Sequence, residues 1–164
     1  MNRSDAVTRL HDAAALWSTD HATPADVVRA ACDVLADGAD GDALAMLAAV
    51  ALRTAQNSDM FENLEQALAE VGLPYYEPDS MAGQEATLAV MATRALSGDL
   101  DPRSFAAWAH HTFGHDRLPA AERLAELDDA YDTIDYTDLT VQDIDTDVIA
   151  EAHRLAVATP RLTR

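Results

Sequence analysis

The sequence predicts an all-α fold. Apolar residues recur at spacings of three and four, alternation over four or more residues is hard to find, and glycine or proline closes most of the apolar runs. A chain of 164 residues is one ordinary domain that buries roughly two-thirds of its unfolded surface. The expectation is therefore a single helical domain over 1–164, an irregular bundle of about eight helices, with the loop 74–80 as the candidate sub-boundary.

The first helix is expected from Ser4 or Asp5, with Val7, Leu10, Ala14 and Trp17 on one stripe and Asp5 placed to pair with Arg9. Thr23 followed by Pro24 and Asp26 is a helix start, and Gly38 is the matching stop, with Val27, Ala31 and Leu35 facing inward. Ala43 to Leu52 carries no polar side chain, which predicts a central helix apolar on all sides. A fourth helix opens at Asn57 to Asp59, presents Phe61, Leu64, Leu68 and Val71, and ends at Gly72 and Pro74.

The fifth is expected from Ser80 to Ser97, with Leu88, Met91, Ala95 and Leu96 inward. Asp101 as cap and Pro102 in the first helical position start the sixth, with Leu100 and Phe105 spaced as a hydrophobic staple and a break at Gly114. The seventh follows Pro119 with Leu124, Leu127, Tyr131 and Ile134 inward, and the eighth is expected from about Asp145 with Ile149, Ala152, Leu155 and Ala156.

Charge is distributed unevenly on this frame. The formal net charge is −18 and every basic side chain apart from histidine is arginine. Between Asp116 and Glu151 lie twelve carboxylates and only Arg117 and Arg123, a net of −10. Such a segment repels nucleic acid and anionic lipid and attracts a basic protein. The single cysteine, Cys32, closes no internal disulfide and reads as a buried small hydrophobe in a helix. With neither a leader nor a transmembrane run in view, the cytoplasm is the expected location.

Caps and first-turn acids account for Asp5, Asp26, Asp42, Asp59, Asp101, Asp145 and Asp147. Asp128, Asp129, Asp132 and Asp135 have no such role, because negative charge late in a helix opposes its dipole and acids four apart repel by a few tenths of a kcal/mol. These four span roughly a third of the helix circumference opposite Leu127, Tyr131 and Ile134. With Tyr136 and Asp138 beside them, they form the expected partner-binding surface, the phenol as anchor and the acids as steering charge.

Two other constellations carry chemistry. Asp128, Asp129, Ala130, Tyr131, Asp132 matches the DDxxD pattern by which isoprenoid synthases hold magnesium and diphosphate, but no second carboxylate motif or basic diphosphate cluster accompanies it. His111, His115 and Asp116 are the candidate metal-binding set. The expectation remains no metal and no cofactor, because His110 and His111 diverge by about 100° on a helix and Gly114 separates both from His115. His115 with Asp116 is also similar to the histidine–aspartate pair of the helical HD phosphohydrolases, yet no histidine lies between His21 and His110 to supply the upstream ligand of that family.

Gly98, Asp99, Leu100, Asp101, Pro102, Arg103, Ser104, Phe105, then Leu127 to Asp132, then Asp143, Ile144, Asp145 resemble small helical immunity proteins that neutralise bacterial nuclease toxins of the colicin D type. Trp108, Ala109, His110 and Gly114, His115, Asp116 also look like segments of uncharacterised actinobacterial proteins. The first resemblance covers the C-terminal half only. It implies an inhibitor whose carboxylates stand in for phosphates in the basic cleft of a nuclease.

The function expected from the sequence is thus binding: an acidic helical protein, most concretely immunity-like, with a basic protein partner and neither nucleic acid nor membrane as partner. The alternatives are a metal-dependent hydrolase or phosphatase using the His-Asp cluster or the DDxxD-like stretch, and a structural or regulatory protein whose acidity serves solubility, as in a high-salt cytoplasm.

Overall fold

In a computed structural model, which describes residues 3–158, capping chemistry fixes the helix boundaries. The Thr23 hydroxyl accepts the Asp26 N–H while the Asp26 carboxylate accepts the Thr23 N–H at 2.9 Å, a reciprocal cap that also holds the Asp26 carboxyl below the usual range. Ser80 Oγ accepts the Gly83 N–H at 3.1 Å, and the Asp101 carboxylate accepts the Ser104 N–H at 3.0 Å. The helices are α1 (Arg3–Trp17), α2 (Pro24–Ala36), α3 (Asp42–Ala48), α4 (Asn57–Glu70), α5 (Met81–Ser97), α6 (Pro102–Phe113), α7 (Glu122–Asp132) and α8 (Val141–Ala158). The all-α class is as expected, and the described residues include no strand. No described helix is long and apolar enough to cross a membrane.

Two compact units divide the chain between Gln84 and Glu85, inside α5 and a few residues beyond the loop 74–80. In the first, α1 packs on α2, α2 on α3 and α3 on α4 around Leu10, Val27, Leu44, Leu47, Met60, Leu64 and Leu68. In the second, α6, α7 and α8 pack on one another, with Leu88, Ala92 and Ala95 of α5, around Phe105, Leu118, Leu124, Ile144 and Val148.

Several expectations need correction. The apolar run 43–52 is not a central helix. α3 stops at Ala48, buries only Leu44 and Leu47 of its large side chains, and leaves Met46 62 % exposed. Phe61 is 60 % exposed, because the inward stripe of α4 is Met60, Leu64, Ala67 and Leu68; its ring instead meets Trp17 edge-on at 5.6 Å. Cys32 is exposed, with its thiol 3.4 Å from the Ala48 carbonyl, since α2 turns Val28, Ala31 and Val34 to the core. Arg9 reaches Asp33 of α2 at 3.5 Å.

α8 begins at Val141 rather than near Asp145. Thr140 and Asp143 build a second reciprocal cap, at 2.8 Å for the Thr140 N–H, so Asp145 and Asp147 lie one turn inside the helix. Asp145 accepts the Tyr131 hydroxyl at 2.5 Å, and Asp147 pairs with Arg123 at 3.2 Å.

The N-terminus of α3 has no local side-chain cap. Glu70, at the end of α4, supplies one by accepting the Ala43 and Leu44 N–H groups at 3.1 and 2.9 Å. A Cβ at Gly41 would run into this carboxylate. Glu70→Ala is expected to lower stability by about 1 kcal/mol in urea denaturation, and Gly41→Ala to lower it in the same direction by displacing the same cap; an unchanged urea midpoint for both would contradict the capping role.

Candidate functional site: a histidine–carboxylate network beside an exposed acidic turn

The site begins where α6 ends. Gly114 adopts φ 63° and ψ −163°, a conformation open to glycine, and Asp116 follows at φ 63°. Aspartate tolerates the left-handed region better than most residues, at a cost of about 1 kcal/mol or more. These two residues turn the chain back over α6, so the glycine break brings His115 toward the helix instead of away from it. The His110 and His115 ring centroids are 4.8 Å apart, at an interplanar angle of 64°.

α7 presents carboxylates to both rings. Asp128 Oδ2 lies 2.9 Å from His110 Nδ1, and Asp129 Oδ1 lies 3.8 Å from the same nitrogen. His115 is held on both sides, Nδ1 by Glu122 at 2.8 Å and Nε2 by Asp129 at 3.0 Å. Ionised carboxylates only accept, so His110 Nδ1 and both His115 nitrogens donate, and His115 is an imidazolium in this arrangement. The other Glu122 oxygen accepts the Asp116 N–H at 2.7 Å, which pins the turn to the first residue of α7. The hydrogen bonds to Glu122 and then Asp129 raise the His115 pKa above its usual value; the Asp116 N–H and then His115 hold the Glu122 carboxyl below the usual range.

The expected site residues therefore divide into two groups. Asp128 is only 20 % exposed and, with Asp129, belongs to the histidine network. Asp132 is exposed at the end of α7, 3.7 Å from Arg103, whose guanidinium also lies over the Tyr131 ring at 5.3 Å. Asp135 and Tyr136 lie beyond α7 in a short 3-10 turn, Ile134–Tyr136, and Asp138 follows. Tyr136 is 90 % exposed, and Leu139 and Val141 beside it are about half exposed. Among the described residues, neither Asp135 nor Asp138 has an ion-pair partner. His111 is exposed and outside the network, and Asp116 enters it through its backbone N–H.

A groove of about 410 Å³ runs along α7 and α8, floored by Leu127, Ala130 and Ile144 and edged by Leu139, Glu126, Asp143 and Asp147. Arg123 spans its rim, 3.0 Å from Glu126 and 3.2 Å from Asp147. Beneath Arg103, Tyr131 donates to Asp145; burial, and then that bond, push its phenol pKa well up, so it stays a neutral donor. Sequence reading missed Glu122 and His110 as members of the network, Asp145 as an acceptor and the groove. Each depends on which faces of α6, α7 and α8 meet, and helical periodicity alone does not pair faces between helices.

The His115–Glu122 bridge has a defined pH window. His115 has a folded pKa above 6.5, so its contribution to stability is complete below about pH 6.5 and is lost as pH rises through the folded value. Glu122 has a folded pKa below 4.5, so its contribution is complete above about pH 4.5 and is lost as pH falls through the folded value. The stability difference between the wild type and Glu122→Gln, measured by urea denaturation in chelator-treated buffer, should peak between those limits and shrink on either side. A difference that stays flat with pH would show that the bridge does not form.

No protein-family model matches the sequence, and comparison with curated proteins and with solved structures gives no significant match.

Proposed function

We propose that this is an acidic helical binding protein that docks a basic protein through the turn after α7 and the adjoining groove. The observation that carries this reading is Tyr136, an almost fully exposed aromatic between two carboxylates that have no ion-pair partner among the described residues. A rigid phenol with flanking acids supplies the anchor and steering of a polar interface. The groove adds an apolar floor with a carboxylate rim, suited to the aliphatic stem and charged head of an arginine or lysine.

The most concrete form of this proposal is an immunity-like inhibitor that fills the basic, nucleic-acid-binding cleft of a nuclease, its carboxylates in the places of phosphates. The resemblance of the C-terminal half to immunity proteins supports this form. Asp128 and Asp129, engaged by the histidines, are not part of the contact; Asp132, Asp135, Tyr136 and Asp138 are. The hydrolase reading draws on the convergence of His110 and His115, but the residues around the groove include neither histidine. Acidity for solubility alone gives no reason for exposing Tyr136, Leu139 and Val141 together.

Co-purification from the native host, followed by rate measurements on the captured partner, tests the proposal. The partner is expected to be a basic nucleic-acid-processing protein, with an association rate that falls steeply as salt rises toward physiological strength. Tyr136→Ala combined with Asp135→Asn and Asp138→Asn should weaken binding at least a hundredfold with the helical circular dichroism unchanged. A captured partner whose affinity ignores all three changes, or whose association rate ignores salt, would contradict the docking surface.

A further inference from the structure

The histidine network has the composition and geometry of a metal site. One donor atom from each of His110, His115 and Asp129 lies within 4.8 Å of the other two, and Asp128 Oδ2 is 2.9 Å from His110 Nδ1. Nitrogen and carboxylate ligands sit about 2.0–2.2 Å from zinc, which places neighbouring donor atoms of a tetrahedral site on the order of 3.3 Å apart. The 3.0 Å contact of His115 Nε2 with Asp129 and the 4.8 Å limit on the three-residue group bracket that value, so His110, His115 and Asp129 can close on an ion by side-chain adjustment.

Glu122 supplies a feature that a chance pairing of surface charges does not require. A metal-ligating histidine nearly always donates its other ring N–H to a carboxylate or carbonyl, which sets the tautomer and orients the ring. His115 Nδ1 does this to Glu122, and Glu122 is in turn fixed by the Asp116 N–H at 2.7 Å, so Nε2 points at Asp129. Chain reversal at Gly114 and Asp116 brings this ring back over α6.

We propose that His110, His115 and Asp129 bind one divalent transition-metal ion of the zinc class, with Asp128 beside His110 and Glu122 orienting His115. Two imidazoles with a carboxylate and no thiolate suit Zn²⁺, Mn²⁺ or Fe²⁺ over Ca²⁺ or Mg²⁺, which take oxygen ligands. The ion replaces the ring protons that now separate histidine from carboxylate and ties the end of α6, the turn after it and α7 together. This site does not depend on the docking reading, since it uses none of Asp132, Asp135, Tyr136 and Asp138.

Titration of the tag-free, chelator-treated chain with zinc chloride, followed by calorimetry and by competition with a chromophoric chelator, tests the proposal. The expected result is one equivalent per chain and a melting temperature that rises with zinc and falls back on chelation. His115→Ala and Asp129→Asn should each weaken zinc binding at least a hundredfold, and Glu122→Gln about tenfold. His111→Ala, one residue from the site but outside it, should leave affinity unchanged. If His115→Ala does not fold, Asp129→Asn, which is nearly isosteric, gives the same reading alone. Less than one equivalent bound, equal loss in the His111 and Asp129 variants, or magnesium binding as tightly as zinc would each overturn the site and leave only diffuse attraction of cations to an acidic surface.

Discussion

Carboxylates crowded into the last turns of α7 are the constraint on which the second unit turns. Their charge opposes the dipole of the helix that carries them, and neighbouring acids repel along its face. The structure meets the problem with cations from three sources. Arg103 and Arg123 approach from α6 and within α7, and the remaining demand falls on histidine. His110 stands in the last turn of α6 and reaches across to Asp128. His115 arrives from beyond the end of α6 only because Gly114 and Asp116 adopt left-handed backbone angles.

Local chemistry was legible in the sequence and distant chemistry was not. The Thr23–Asp26 cap and the Asp101 cap were readable because both partners lie within one turn and the apolar stripe starts on cue. Thr140 and Asp143 carry the same signature, but the apolar stripe of α8 opens only at Ile144, which drew the expected start downstream. Glu70 capping α3 from 27 residues away, Tyr131 reaching Asp145 and His115 reaching Asp129 are contacts between elements. No periodicity within a single helix reveals them.

The same reasoning explains how the acid surface divides. On a helical wheel, Asp128, Asp129, Asp132 and Asp135 share one face and look equivalent. Packing of α6 against α7 covers much of Asp128 and the histidines engage Asp129, while α7 ends at Asp132 and delivers Asp135, Tyr136 and Asp138 into a turn. A carboxylate pointed at a histidine holds the fold or a bound ion. In the proposed docking surface, a carboxylate beside an exposed tyrosine keeps its charge for a partner. The binding reading and the metal site thus draw on different residues of one acidic segment.

The central claim is geometric: the chain turns back at Gly114 and seats the His115 ring against His110, between Glu122 and Asp129. Nuclear Overhauser spectroscopy on the chelator-treated protein near pH 6 tests it most directly. Ring centroids 4.8 Å apart predict cross-peaks between the His110 and His115 ring protons, with the His115 ring nitrogens both protonated. A His115 ring with no cross-peak to His110 and with the nitrogen shifts of a freely titrating imidazole would contradict the account.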